Sequence, residues 1–195
     1  MSDLLTGELV HLTVENPEVL AKSFSHWNQD TGWVRFLDSD PSRLLSEKKW
    51  VEWMEKDLEK SDSDERFFAI RAKDGEVLIG FIGYFNLFRQ HGDTLVAIAL
   101  GERNYWNKGF GTDAMRVMLR YAFQELNLRR VGLIVFEYNP RAIRSYEKSG
   151  FAYEGRIRQV MLKDGKRWDF LYMGIQREEW LAQGIMTSSL RMEGE

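Results

Sequence analysis

Apolar positions along the chain change rhythm several times, and turn-forming residues mark most of the changes. "ELVHLTV" (8–14) alternates apolar and polar positions, the period of two expected of a first, half-buried strand. From Pro17 to about Trp27 the spacing becomes helical, with Pro17 early in the helix, where its missing N–H is not needed. "NQDTGWVRFLDSDPSR" (28–43) keeps no period and reads as a long irregular segment, a length of loop that more often serves function than decoration. Ser46 can N-cap the stretch that follows, in which Trp50, Trp53, Met54 and Leu58 share one face, and Trp50 and Trp53 read as core.

The second half of the pattern is richer in strands. "RFFAIRAKDGEVLIGFIGYF" (66–85) is two β-rich runs around Asp74-Gly75, a hairpin signal. "TLVAIAL" (94–100) is apolar on both faces and belongs in the middle of a sheet. Met115, Met118, Leu119, Ala122 and Leu126 then recur at helical spacing. "RRVGLIVFEYN" (129–139) is another buried strand, and Asn139, Pro140 and Gly150 supply the cap, first position and stop of a helix. Residues 151–175 form a second hairpin turning at Asp164-Gly165, and "REEWLAQG" closes with a short helix. Hairpins on both sides of one strand–helix–strand crossover predict a mixed α/β (α+β) domain. Its sheet is mostly antiparallel, with one central parallel strand pair and flanking helices. Helices do not follow every strand, so a doubly wound fold is excluded.

Composition narrows the chemistry. The chain has 195 residues, 44% hydrophobic and 29% charged, with no linker-like or repeated stretch, so it reads as one domain over 1–195. A net charge of −3 and the lack of a basic cluster argue against a nucleic-acid partner. There is no cysteine, hence no disulfide, thiolate metal site or cysteine nucleophile, and His11, His26 and His91 are scattered, so no metal is expected. The first residues lack a basic, then apolar, leader pattern and no apolar run is of membrane-spanning length. The expectation is a cytoplasmic protein without a membrane partner.

Chemistry concentrates at "NYWNKGFGTDAM" (104–115), where Gly109 and Gly111 precede a helical pattern. Glycines let a ligand approach the backbone, and a helix N-terminus offers free N–H groups to an anion, so a phosphate is the expected guest. "GFGTDA" fits the Gly-x-Gly-x-x-Gly/Ala dinucleotide pattern, and Glu137 ends the next strand where a ribose acid would sit. Spacing counts against that reading, because "GERNYWNK" separates Leu100 from Gly109. A nucleoside-triphosphate loop fails as well, since Lys108 precedes its glycine and no Gly-Lys-Ser/Thr follows.

A third candidate is the pyrophosphate of coenzyme A. "YWNKGFGTDA", "VGLIVFEYNPRAIRSYEKSGF" and "DGKRWDFLYMGIQREEW" resemble the GNAT acetyltransferase superfamily over most of the chain, and within it the RimJ/RimL-type branch that acetylates protein N-termini and small amines. The resemblance implies an acetyl-CoA-dependent N-acetyltransferase. It makes Asn107, Lys108, Gly109, Phe110, Gly111 and Thr112 the pyrophosphate loop, and Ile98, Ala99 and Leu100 the strand pairing with the pantetheine arm. Asn139 and Ser145 then face the thiol end, Ala142 is small enough to let it pass, and Tyr146 is the proton donor near the sulfur. One position departs from the superfamily motif: Trp106 stands where Gln or Arg is usual, three residues before the first glycine. The phosphate cradle is therefore expected to rest on backbone.

The resemblance implies an amine acceptor, either small or a protein N-terminus. A phenol near ~10 suits protonation of a thiolate whose acid sits near ~8.5, although Tyr146 also reads as a core aromatic beside Ile143. Glu102 is a candidate base, but a solvated carboxylate is the plainer reading. The acceptor pocket is expected from residues 28–43, the N-terminal helices and the Lys163–Trp168 turn. There Trp33 and Phe36 could stack on the acceptor, and Asp38 and Asp40 could attract a cation or simply form a turn. Dimers are frequent among proteins of this kind, so a homodimer stays open. An acyl-CoA-binding sensor without turnover is the alternative to an enzyme.

Overall fold

The computed structural model describes residues 3–40, 44–59 and 65–192, with side chains up to Glu55 in one helix and Gly184 in another. Its strands are β1 (Val10–Thr13), β2 (Arg66–Ala72), β3 (Val77–Phe88), β4 (Asp93–Leu100), β5 (Arg130–Phe136), β6 (Ala152–Lys163) and β7 (Lys166–Gln176). Among the described residues these seven form one sheet in the order β1-β2-β3-β4-β5-β7-β6. Every neighbouring pair is antiparallel except β4 and β5. β4, apolar on both faces, is the middle strand, as its pattern predicts. Both hairpins turn where the sequence places them, and at the second Asp164 and Gly165 both take positive φ (52° and 71°), the geometry of a two-residue turn.

The helices are α1 (Pro17–Trp27), α2 (Thr31–Leu37), α3 (Glu47–Glu59), α4 (Phe110–Arg120), α5 (Pro140–Lys148) and α6 (Arg177–Met192). α4 and α5 cover one face of the sheet with the larger core, which includes Met115, Met118, Leu119, Phe123, Val131 and Tyr146. α1 and α2 cover the other face through Trp27, Trp33 and Val34, packed against Ala99. Among the described residues no helix is long and apolar enough to cross a membrane.

Three sequence expectations are corrected. Residues 28–43 are not irregular throughout: Thr31–Leu37 form a helix whose N-cap Asp30 accepts from the Trp33 N–H at 3.1 Å. It buries Trp33 and Val34, but two turns are too short to show a period; residues 41–43 lie outside the described residues. Trp53 is not core but 54% exposed, flanking Trp50 edge-on, because α3 presents only part of its apolar face inward; the Leu58 side chain lies outside the described residues. The closing helix is longer than "REEWLAQG", since its backbone continues to Met192. A smaller departure follows α4. The chain widens to a π-helix over Tyr121–Glu125, so Phe123 is fully buried and Leu126 only half-buried.

One buried carboxylate ties the start of the sheet to α4. Asp113 accepts from the backbone N–H groups of Glu8 (3.2 Å), Leu9 (2.7 Å) and Val10 (3.0 Å). A charged acceptor holding one buried and two part-buried donors is worth more than a neutral one, and its loss leaves the buried Val10 N–H unpaired. Asp113→Ala is expected to cost about 3 kcal/mol, or roughly 6–12 °C in Tm for a domain of this size. Thermal denaturation monitored by circular dichroism checks this; a change within about 1 °C would show that the three amides do not depend on the carboxylate.

Candidate active site

The site begins where two strands part. β4 and β5 pair in parallel only at Asp93–Arg130, Thr94–Val131 and Leu95–Gly132. Beyond Leu95 they diverge, and a cleft of about 1000 Å³ opens between them, lined by Val96–Leu100 on one side and Ile134–Phe136 on the other. Backbone direction alternates along a strand. The Gly101 N–H donates to the Ile79 carbonyl on β3, so the neighbouring Leu100 turns its backbone away from β3, toward the cleft, and Ile98 does the same. Leu100 confirms the direction, because its carbonyl accepts from the indole N–H groups of Trp33 (2.9 Å) and Trp106 (2.8 Å). Of the three β4 residues singled out from the sequence, Ile98 and Leu100 thus offer backbone to the cleft. Ala99 pairs with Phe81 on β3 and contributes its side chain to the wall.

The glycine loop sits at the wide end of this wedge. Asn107 (φ 60°) and Gly109 (φ 92°) both adopt left-handed backbone, and Gly109 becomes the N-cap of α4 without any side-chain cap. The Gly109 carbonyl already bonds the Asp113 N–H, while the amides of the first helical turn are left for an anion. Asn107, Gly109, Gly111 and Thr112 line the cleft. Lys108 is exposed, and Phe110 turns aside to pack edge-on against Tyr105, ring centroids 4.9 Å apart. Three cations that the sequence reading missed rim the same end: Arg116, Arg144 and Lys148. Arg144 and Lys148 are four residues apart on α5, a spacing that in isolation reads as an ordinary solvated face.

α5 brings the remaining predicted residues together. Asn139 is buried and its Oδ1 accepts from the Ala142 N–H at 3.2 Å, capping the helix. Ser145 and Thr112 join their hydroxyls at 2.9 Å, linking α5 to the glycine loop. Asn139, Ala142, Ser145 and Tyr146 all line the cleft. The Tyr146 ring packs against Phe151, and its hydroxyl makes no hydrogen bond among the described residues. Burial pushes its pKa up to about 12, the nearby Arg141 cation offsetting part of the effect.

The opposite face is aromatic. Phe36 on α2 approaches Tyr138, which stacks on Phe136 and meets Trp168 edge-on. α2 is fastened there: Arg35 pairs with Asp164, and the Arg35 carbonyl accepts from the Tyr138 hydroxyl (2.6 Å) and Lys163 Nζ (3.2 Å). The 163–168 turn therefore braces the wall from behind. Trp33 is a buried strut rather than a free stacking surface. Asp38 lines the cleft, with Oδ1 accepting from the Asp40 N–H at 3.0 Å, the turn reading of that segment. Glu102 accepts from the Trp27 indole at 2.8 Å and lines a separate, smaller hollow.

A family model described as the acetyltransferase (GNAT) domain matches residues 9–152. The chain belongs to this family. As a GNAT acyltransferase it is similar to the uncharacterized N-acetyltransferase YnaD of Bacillus subtilis, 27% identical over 177 residues that cover 88% of this chain and 99% of the relative. It is also similar to the SPbeta prophage-derived uncharacterized N-acetyltransferase YokL of that organism, 33% identical over 129 residues, 66% of this chain and 70% of the relative. Its fold is similar to that of the spermidine N-acetyltransferase from Vibrio cholerae in complex with CoA and spermine. That likeness has a TM-score of 0.76 at 23% identity and covers 89% of this chain and 98% of that one. A GNAT-family acetyltransferase from Bacillus anthracis gives 0.74 at 19% identity, covering 89% and 98%.

The glycine loop of this GNAT chain can be tested directly. A Cβ on Gly111 would meet only Leu100 Cδ1 at 3.5 Å and Ser145 Oγ at 3.7 Å, ordinary contacts, so Gly111→Glu is expected to fold. Its carboxylate would stand among the open amides and repel an anion there. CoA affinity by calorimetry is expected to fall at least about tenfold, with Tm little changed; unaltered affinity in the folded variant would remove the loop from coenzyme binding.

Proposed function

We propose that this chain is an acetyl-CoA-dependent N-acetyltransferase that moves the acetyl group directly to a primary amine. The observation behind this reading is the wedge between β4 and β5, which sets an open backbone edge, a helix N-terminus and a lone tyrosine hydroxyl around one cleft. The residues fit the coenzyme: amides of the α4 first turn for the pyrophosphate, with Arg116, Arg144 and Lys148 as the cationic rim for its phosphates. The free edge of Ile98 and Leu100 is suited to pair with the amide-rich pantetheine arm, and Ala142 leaves room for it. Asn139 and Ser145 stand toward the thiol end. Of the glycine-loop residues read from the sequence, Lys108 and Phe110 act through loop shape rather than contact. The aromatic side of the cleft receives the amine. The sequence pattern supports a RimJ/RimL-type branch, and a single sheet joining all described strands supports one domain.

In the reaction the amine nitrogen bonds to the acetyl carbon and the carbon–sulfur bond breaks, so the nitrogen loses a proton and the sulfur gains one. Backbone N–H on the free edge of β4 polarises the thioester carbonyl without a special side chain. A phenol held at about 12 is a weaker acid than a thiol near ~8.5, so Tyr146 does not ionise as a separate step. Instead its hydroxyl relays: it gives its proton to sulfur as the bond breaks and is resupplied from the amine side. No strong base is needed, since an α-amine near ~8 is partly neutral at pH 7. The absence of cysteine agrees with direct transfer, without an acetyl-enzyme.

Tyr146→Phe removes only a hydroxyl that bonds nothing among the described residues, so stability is expected to hold while kcat falls about 10²-fold with acetyl-CoA affinity intact. Full turnover in the stable variant would take Tyr146 out of the mechanism. The wild-type rate at low acceptor concentration is expected to rise with pH toward the acceptor's own pKa. Because burial raises rather than lowers the Tyr146 pKa, the hydroxyl stays protonated and no alkaline fall follows up to about pH 10. A flat acid limb, or product found only on hydroxyl groups by mass spectrometry, would reject transfer to a neutral amine.

A further inference from the structure

Arg141 occupies the second position of α5, directly after Pro140. A cation in the first turn of a helix faces the positive end of the dipole, an unfavourable place. Burial lowers its pKa further, and the neighbouring Arg103 cation adds to the effect. Yet no carboxylate or carbonyl among the described residues accepts a hydrogen bond from it. Its guanidinium lies over the Trp106 ring, 3.4 Å from the centroid, and 5.6 Å from the centroid of Phe36. Trp106 is itself immobilised, its indole N–H on the Leu100 carbonyl and its ring also beside Arg103, which Asp30 holds with both oxygens.

A guanidinium centred over a ring face spends none of its N–H donors there, and those donors match a carboxylate with two parallel bonds. Arg141 lines the cleft, so the donors have a guest to meet there. The cleft contains two possible sources of anion once the proposed reaction is accepted: the coenzyme phosphates and a charged group on the acceptor. The phosphates have the α4 amides together with Arg116, Arg144 and Lys148. Arg141 instead touches Phe36, on the aromatic side fastened by Arg35 and Asp164. No acid lining the cleft pairs with it among the described residues: the charged or polar groups acting on Arg141 are Arg103 and Tyr146, and Asp113 is spent on three β1-side amides.

We infer that the acceptor is an amine that also carries a carboxylate, an amino acid or a short acidic peptide rather than a polyamine, and that Arg141 is the residue that selects it. This rests on the acetyl-transfer reading above. The test compares matched acceptors with the wild-type enzyme: dipeptides with a free C-terminal carboxylate against their C-terminal amides, N-terminal peptides with Asp or Asn at the second position, and spermidine. kcat/KM, corrected for the fraction of neutral amine, is expected to favour one carboxylate series by about 10- to 100-fold, the range of a charge-assisted hydrogen bond. R141Q is expected to lower kcat/KM on that series by a similar factor and R141K to restore part of it, with the acetyl-CoA Kd unchanged in both. Equal use of acid and amide by the wild type, or preference for spermidine, overturns the inference while leaving acetyl transfer standing, and needs no variant to be folded. A loss of acetyl-CoA affinity in R141Q with unaltered acceptor discrimination also overturns it, assigning Arg141 to the coenzyme. Absence of acetylated product from every amine overturns both readings together.

Discussion

Two parallel strands that pair for three residues and then separate impose the rest of this molecule. While β4 and β5 are joined, the sheet is continuous; once they part, β4 has backbone groups with no neighbour on one side and β5 bends away to meet β7 along its whole length. Open backbone inside a protein must find partners. The Leu100 carbonyl finds two indoles, one from the α2 side and one from the glycine loop, so tryptophans rather than strand pairing prop the wedge at its mouth. The backbone of Ile98 and the Leu100 N–H have no strand partner on that side among the described residues. The same divergence puts the α4 N-terminus and the α5 N-terminus at the two lips of one opening, because each helix follows the end of one of the parting strands.

Electrostatics then divides the opening in two. Toward the glycine loop, unpaired helix amides and the Arg116, Arg144 and Lys148 side chains make a positive basin. Toward α2, aromatic rings dominate, and among the described residues that line the cleft the cation on that side is Arg141, its guanidinium centred 3.4 Å from the Trp106 ring. The motif departure at Trp106 acquires a physical account here: an indole in that place cannot contact a phosphate as Gln or Arg would, but it caps a strand carbonyl and supplies a face for an arginine.

Much of this was legible in the residues. Alternation marked the strands, Asp74-Gly75 and Asp164-Gly165 marked the hairpins, and Asn139-Pro140 announced the start of α5 because capping is chemistry local to a few residues. The glycine loop was readable for the same reason. Long-range pairings were not. Nothing near Asp113 in the chain says that it holds amides more than a hundred residues away, and an arginine after a helix-initiating proline reads as solvated until the fold places Trp106 beneath it. Thr31–Leu37 was missed because two turns give too few positions for a period, and Trp53 because an apolar helical face can be wider than the surface available to cover it. Tyr146 was singled out and does line the cleft, yet its acidity was not legible: burial is a property of the packed α5 face, and it moves the phenol away from its ordinary value.

The parting strands also decide traffic. The wedge passes between the strands from the α4–α5 face of the sheet to the α1–α2 face, and residues of both faces line it. On the acetyl-transfer proposal, coenzyme and amine would reach the cleft from opposite faces of the sheet, so neither would have to leave for the other to arrive. A protein that cannot park an acetyl group on a thiol of its own needs that arrangement, since both partners have to be present at once. In kinetic terms the proposal makes the ternary complex a crossing point of two routes, in which the amide product would depart on the amine's side while spent coenzyme still fills the other.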